Sequence, residues 1–297
     1  MHIGIIGTGR MGAAIGQRLL DCGHTLQVWN RSVDKTAPLR ERGATVAATP
    51  AALVQASELV ISILTDAAAI EAAFGGADGV LSVPLDGKLF VEMSTVRPHT
   101  EVELAARVAA RGGAMVECPV GGTVGPAREG KLLGMVGGAD ADVARARPVL
   151  EQMCRRVEHV GPNGAGASLK LAINLPLLVF WQSFGEALAL AAPLKLDPAR
   201  LLDIFGETSG APNALRLRTP VLAEVLAGKP PGGTQFNVDA IRKDLRTMIE
   251  EAQGLGYGTL PVTAAALGCF DRASQSGGLG DADSTQLPSW WVENGKG

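Results

Sequence analysis

The sequence predicts an α/β chain, with a doubly wound parallel sheet first and an all-helical domain after it, the two joined by a long helix. Three observations predict this. Over the first half, short apolar runs alternate with helix-like patterns, the mark of βαβ units. That alternation stops after Gly161 and gives way to one long apolar helical stretch. With 297 residues, 46% hydrophobic and 19% charged, the chain has apolar surface enough for two ordinary domains, which excludes disorder as its main state.

Strands are expected at 2–7, 26–30, 59–64, 89–94 and 115–120, with helices between them, for example at 11–22 and 50–56. Runs at 132–137 and 157–160 are expected to add edge strands. The domain boundary falls near 161–166, giving domains 1–162 and 163–297. The second opens on a helix over 167–192, with Pro176 inside it. That proline removes one backbone donor and is expected to bend the helix. The Lys-Pro-Pro-Gly-Gly segment at 229–233 breaks the later helices.

Composition excludes several function classes. Lys plus Arg number 27 against 30 Asp plus Glu, so there is no global electrostatic reason to bind nucleic acid. The apolar stretch 175–194 holds Pro176, Gln182, Ser183, Glu186 and Pro193, which suits a core or dimer-interface helix better than a membrane span. Cys22, Cys118, Cys154 and Cys269 form no CxxC pair and read as free thiols in a reducing cytoplasm. The first residues lack a basic region followed by a long apolar run, so no secretory leader is expected. His2, His24, His99 and His159 are isolated, and no metal site is expected.

The 38 glycines are about twice the usual share of ~7%, and their positions point to ligands. Gly7-Thr8-Gly9-Arg10-Met11-Gly12 is a GxGxxG sequence between an apolar strand and a helix. In that setting the first glycine allows the tight turn, the second lets a pyrophosphate approach, and the third lets the helix pack on the sheet. The free N–H groups of the helix start then face the phosphates. A dinucleotide-binding Rossmann domain is therefore expected. At the end of the second strand, NAD sites usually carry Asp or Glu. This chain has Asn30-Arg31-Ser32 there, with Lys35 nearby, which favours the 2′-phosphate of NADP(H), with NAD(H) as the alternative.

Several further motifs stand in order along the chain: Gly23-His24, Met93-Ser94-Thr95 with Pro98, Glu117-Cys118-Pro119-Val120-Gly121-Gly122 with Ala127, Gly130 and Leu132, Gly164 to Gly166 followed by Lys170 and Asn174, Phe236, Lys243-Asp244-Leu245, and Asp283-Ser284. Together with the glycine motif they resemble the β-hydroxyacid dehydrogenase family, over nearly the whole chain. That family includes 3-hydroxyisobutyrate dehydrogenases and glyoxylate/succinic semialdehyde reductases. The resemblance implies that Ser94 and Thr95 lie beside the nicotinamide, with Leu64, Thr65 and Lys243 among the cofactor contacts. It implies that Ser94, Pro119, Val120, Gly121, Gly122, Thr123 and Phe236 serve the substrate, and that Lys170 and Asn174 are catalytic.

Lys170 and Asn174 are four apart and share one helix face. Spacing alone favours a surface lysine and an ordinary polar residue on an amphipathic helix; the glycines before Lys170 and the resemblance select catalysis. Hydride addition to a carbonyl builds negative charge on oxygen, and a lysine ammonium can stabilise that charge and deliver the proton. Asn174 would hold the substrate or orient Lys170. The chain departs from the family pattern at two positions, with Gly121 where a serine is usual and Glu117 where an aspartate is usual, so a wider or less acidic substrate is conceivable. The reading is a short β-hydroxy acid interconverted with its semialdehyde by a cytoplasmic homodimer. The alternatives are an imine reductase, which commonly has Asp or Tyr at the Lys170 position, and a non-catalytic cofactor-binding scaffold.

Overall fold

The computed structural model describes residues 1–295. Strands β1 (His2–Ile6), β2 (Thr25–Trp29), β3 (Thr45–Val46), β4 (Leu59–Ser62), β5 (Leu89–Glu92) and β6 (Ala114–Glu117) are parallel and stand in the order β3-β2-β1-β4-β5-β6. Helices α1 (Arg10–Asp21), α2 (Ala37–Arg40), α3 (Pro50–Ala56), α4 (Ala67–Phe74) and α5 (Pro98–Ala109) connect them. This is a doubly wound Rossmann sheet. Its order reverses beside β1, so a crevice opens at the carboxyl ends of β1 and β4, where such sheets bind ligands. Strands β4 and β5 are buried at every residue, as continuous apolar runs in a sheet covered on both faces should be. One apolar core contains Ile15, Leu19 and Val149, and a second contains Leu53, Phe74 and Phe90.

Beyond β6 come β7 (Val120–Gly121), α6 (Val124–Arg128), β8 (Leu132–Gly137), α7 (Asp140–Met153) and β9 (Cys154–Gly161). Two expectations are corrected here. The run 115–120 is not one strand: β6 ends at Glu117, and β7 resumes as an antiparallel partner of β8. Pro119 between them has no N–H to continue the ladder. The run 132–137 is not an edge either, because β8 lies between β7 and β9 and also pairs with β6.

Helix α8 runs from Ala165 to Ala191 with Pro176 inside it. Helices α9 (Pro198–Gly206), α10 (Asn213–Leu226), α11 (Val238–Gly254), α12 (Pro261–Gln275) and α13 (Gln286–Asn294) complete the chain. The break expected at 229–233 falls between α10 and α11. The chain divides into two compact units, 1–171 and 172–297, so the first two turns of α8 belong with the sheet. In the second unit, Trp291 of α13 lies under the Arg272 guanidinium of α12, 4.4 Å from ring centroid to charge, a cation–π contact that docks the tail on its own unit.

Candidate active site

The glycine motif folds as its spacing predicts. Gly7 takes a φ of +98°, and a Cβ on Gly12 would collide with the Gly7 carbonyl oxygen, which only glycine avoids. Gly9 is the contrast, because a Cβ there would meet nothing within 4 Å among the described residues. The open space lies at the start of α1, which has no acidic residue in its first turn and no side-chain cap among the described residues. Its first N–H groups are thus available to an anion. The Thr8 hydroxyl is buried without a partner among the described residues. These features fit the pyrophosphate of a dinucleotide. Arg10 is exposed and Met11 half-buried at the helix start.

Asn30 ties the second strand to this loop. Its Oδ1 accepts from the Thr8 N–H at 3.1 Å, and its Nδ2 donates to the Ser32 carbonyl at 3.0 Å. Asn30 therefore shapes the segment that carries Arg31, Ser32 and Lys35, all three exposed. Leu64 and Thr65 follow β4, and the Leu64 side chain lies against Gly7. The Leu64 N–H donates to the Ser94 hydroxyl at 2.8 Å. Ser94 in turn donates its hydroxyl and its backbone N–H to Glu92. The hydroxyl expected to meet ligands is thus engaged within the protein, where it links the loops after β4 and β5. Thr95, next to it, is half-buried.

Under this loop lies a group the sequence reading did not assemble: Glu92, Glu101 and Glu117, each fully buried. Glu92 and Glu117 are register partners at the ends of β5 and β6, so their side chains leave the same face of the sheet. Burial, and then the neighbouring Glu92 charge, push Glu101 well above the usual carboxyl range. Neither Glu101 oxygen has a hydrogen-bond partner among the described residues, and burial beside Glu92 favours its neutral, protonated form. Glu117 accepts from the N–H groups of Gly164 at 2.6 Å, Gly166 at 2.8 Å and Ala167 at 3.2 Å, at the start of α8. Burial raises its carboxyl to about 7 against the lowering effect of those bonds. A sequence signal for the group existed: both strands end in three apolar residues and a glutamate, Leu-Phe-Val-Glu and Ala-Met-Val-Glu, or nearly so.

The turn expected to serve the substrate, 119–123, follows β6. Pro119 and Val120 are buried, Gly121 and Thr123 half-buried and Gly122 exposed. Pro119 is fixed by the Met135 N–H, which donates to its carbonyl at 3.1 Å. Lys170 and Asn174 are both nearly buried, 8% and 9% exposed, on the same face of α8. In the second unit, Lys243 pairs with its neighbour Asp244 at 2.6 Å, and Phe236 is half-buried. Asp283 accounts for the C-terminal motif. It pairs with Arg218 and accepts from the Gln235 N–H at 2.7 Å and from Thr285. Burial pushes its carboxyl up, but these bonds and the Arg218 charge outweigh that and hold it low. Asp283 thus fastens the segment that carries Phe236. The four cysteines are free.

A Rossmann sheet with an open glycine cradle, followed by a helical unit, defines a nicotinamide-dependent oxidoreductase. Residues 2–161 match the NAD-binding domain of 6-phosphogluconate dehydrogenase, and residues 164–291 match the NAD-binding domain of NADP-dependent 3-hydroxyisobutyrate dehydrogenase. The chain is 35% identical to the 3-hydroxyisobutyrate dehydrogenase of Pseudomonas aeruginosa, over 92% of each chain. It is 31% identical to glyoxylate/succinic semialdehyde reductase 1 of Arabidopsis thaliana, over 95% of this chain and 96% of the relative. It is also similar to the crystal structure of 3-hydroxyisobutyrate dehydrogenase from Salmonella typhimurium, with a TM-score of 0.85, 26% identity and coverage of 97% and 99%. The chain belongs to the β-hydroxyacid dehydrogenase family and is an NAD(P)-dependent oxidoreductase acting on hydroxyl groups.

Proposed function

We propose that the enzyme prefers NADPH and reduces short semialdehyde acids to β-hydroxy acids, with Lys170 as proton donor. The observation that carries the reading is Lys170 itself, a lysine 8% exposed on an apolar helix. Fully or nearly buried lysines are uncommon, and this one stands on the face it shares with Asn174, at the position that the family resemblance assigns to catalysis. When bound, the nicotinamide supplies the hydride that carbonyl reduction needs. The Lys170 ammonium donates its proton to the oxygen on which charge develops, and Asn174, one turn on, orients substrate or lysine. The Pro119–Thr123 turn presents backbone N–H groups to the substrate carboxylate. Ser94 holds the loop on which Thr95 stands. The roles of Phe236 and Lys243 rest on the family resemblance. Arg31 and Ser32, with no carboxylate at the end of β2, support the NADPH preference.

The test is NADPH and NADH oxidation with a panel of semialdehydes. Lys170→Ala is expected to lose on the order of 10²- to 10⁴-fold in kcat, and Arg31→Ala about tenfold or more in kcat/KM for NADPH alone. Unchanged turnover in Lys170→Ala would sink the proton-donor assignment. Faster turnover of cyclic imines than of any semialdehyde would replace the substrate reading with imine reduction.

The reading also includes a cytoplasmic homodimer, supported by the free thiols and by the surface of α8. Leu169, Ile173, Pro176, Phe180, Ala187 and Leu190 recur at helical spacing. Leu169, Ile173 and Leu190 on that stripe are exposed. Residues 165–194 are long and apolar enough to cross a membrane by length and composition. The buried Gln182, which donates to Glu186 at 2.9 Å, favours packing against protein over lipid.

A further inference from the structure

We propose that Glu117 is a positioning residue for Lys170: its buried carboxylate grips the first turn of α8 and so fixes the lysine one turn further along. The proposal rests on the reading of Lys170 as the proton donor. Three backbone N–H groups, from Gly164, Gly166 and Ala167, converge on the two Glu117 oxygens. Satisfying helix-start donors this way is ordinary capping. The unusual part is its origin, because this cap comes from the end of a strand nearly fifty residues earlier, not from the residue preceding the helix. It therefore fixes α8 to the carboxyl end of β6, and the same strand end leads directly into the Pro119–Thr123 substrate turn. One side chain thus sets both the lysine-bearing helix and the start of the substrate turn. The room is cut to fit: a Cβ on Gly137 would collide with Glu117, and one on Gly166 with the Met135 carbonyl oxygen.

The grip depends on charge. A carboxylate offers both oxygens as acceptors to the three N–H groups and complements the positive end of the helix dipole. Protonation removes the charge and turns one oxygen into a donor facing donors. The groups around Glu117 are Glu92 from β5, Glu101 from α5 and Cys118, the next residue in the chain, which a hydrogen bond with the Cys154 thiol and burial keep as a thiol. By sequence, β8 and the first turn of α8 contribute no titratable side chain. The carboxyl stands at about 7, so the grip is complete above that pH and weakens as pH falls through it.

The experiment compares Glu117→Gln and Glu117→Asp with the wild type in the full-length enzyme, in kcat, KM and pH profile. Glu117→Gln keeps the shape but loses the charge. It is expected to lose on the order of 10- to 100-fold in kcat, the scale of a misplaced catalytic group, with KM for NADPH within about twofold. The wild type is expected to show an acid limb in kcat near pH 7, which Glu117→Gln should lose. Glu117→Asp should keep that limb, displaced in pH, and recover most of the lost kcat; it also serves if the glutamine variant does not fold. A loss equal in both variants, or a loss carried by KM, would overturn the proposal, because a cap needed merely for folding is blind to charge. Single-turnover rates separate the two readings. In a Lys170→Ala background, Glu117→Gln is expected to cost nothing more, and a full additional loss there overturns the positioning role. A Lys170→Ala enzyme as fast as wild type defeats the proton-donor reading itself.

Discussion

At Gly121 a single missing side chain separates this chain from the family pattern, and the structure shows that the absence is not forced. The residue is not among the glycines with positive φ. A Cβ there would have Leu133 Cβ as its nearest neighbour at 3.6 Å, an ordinary contact. Gly122 next to it does need glycine, with a φ of +126°. Glycine at 121 is therefore not imposed by the backbone. Gly121→Ser is expected to leave the thermal midpoint within about 2 °C, since a surface-facing change without strain is close to neutral. It should lower KM for carboxylate-bearing substrates by about tenfold, the value of one hydrogen bond to a charged group. Steady-state kinetics with a semialdehyde acid and its methyl ester check this. A gain shared equally by acid and ester would mean that the hydroxyl does not meet the carboxylate.

The elements around the site differ in how far local pattern could reveal them. β1, the glycine turn and α1 were legible because every cue lies within a dozen consecutive residues: an apolar run, then Gly7, Gly9 and Gly12, then a helical stripe. The two-residue β3 was not, because so short a strand has no periodicity to read. Nor was the division of 115–120 into β6 and β7, where the pairing partner changes from β5 to β8 and Pro119 is the one local hint. The matching strand ends Leu-Phe-Val-Glu and Ala-Met-Val-Glu were a local hint of Glu92 and Glu117, but their meeting with Glu101 was not legible, because it depends on the register of two strands and on a helix packed over their ends. The start of α8 shows the same dependence. In sequence Gly166 stands with Gly164 before the helix of Lys170 and Asn174, with no hint of its partners; in the fold its N–H donates to Glu117 and its missing side chain leaves room for the Met135 carbonyl. Gly166→Ala should therefore destabilise the fold by about 1–3 kcal/mol, the usual range for overpacking, although alanine is the better helix former. Urea denaturation measures it, and a variant as stable as wild type would show that β8 yields at no cost.

On the scale of the whole molecule, each unit has its own core, but the surface of the second is less finished. Leu190 is 85% exposed, and Leu194 and Leu217 are also largely bare. Scattered apolar residues are normal on a surface, but a continuous apolar helix stripe marks an interaction site. Beside it lies a cleft of about 460 Å³ lined by Ile173, Pro176, Leu177, Phe180, Pro212 and others. The proposed homodimer would place a second copy of the chain here, since closed twofold pairs are the commonest assembly and bury the same patch on both partners. A twofold contact also doubles the effect of any substitution within it. Leu190 is the informative position: it is too exposed to support the fold of one chain, and it lies far along α8 from Lys170. Leu190→Glu places two like charges in the interface, where desolvation and mutual repulsion both oppose association. Sedimentation of the wild type at micromolar concentration should give twice the chain mass. The variant should shift toward the monomer, most clearly at low salt where repulsion is least screened. Its thermal midpoint should become concentration-dependent in the range where the wild type is still paired. A wild type that sediments as a monomer, or a variant that stays paired at every salt concentration, would remove this face of α8 as the dimer contact.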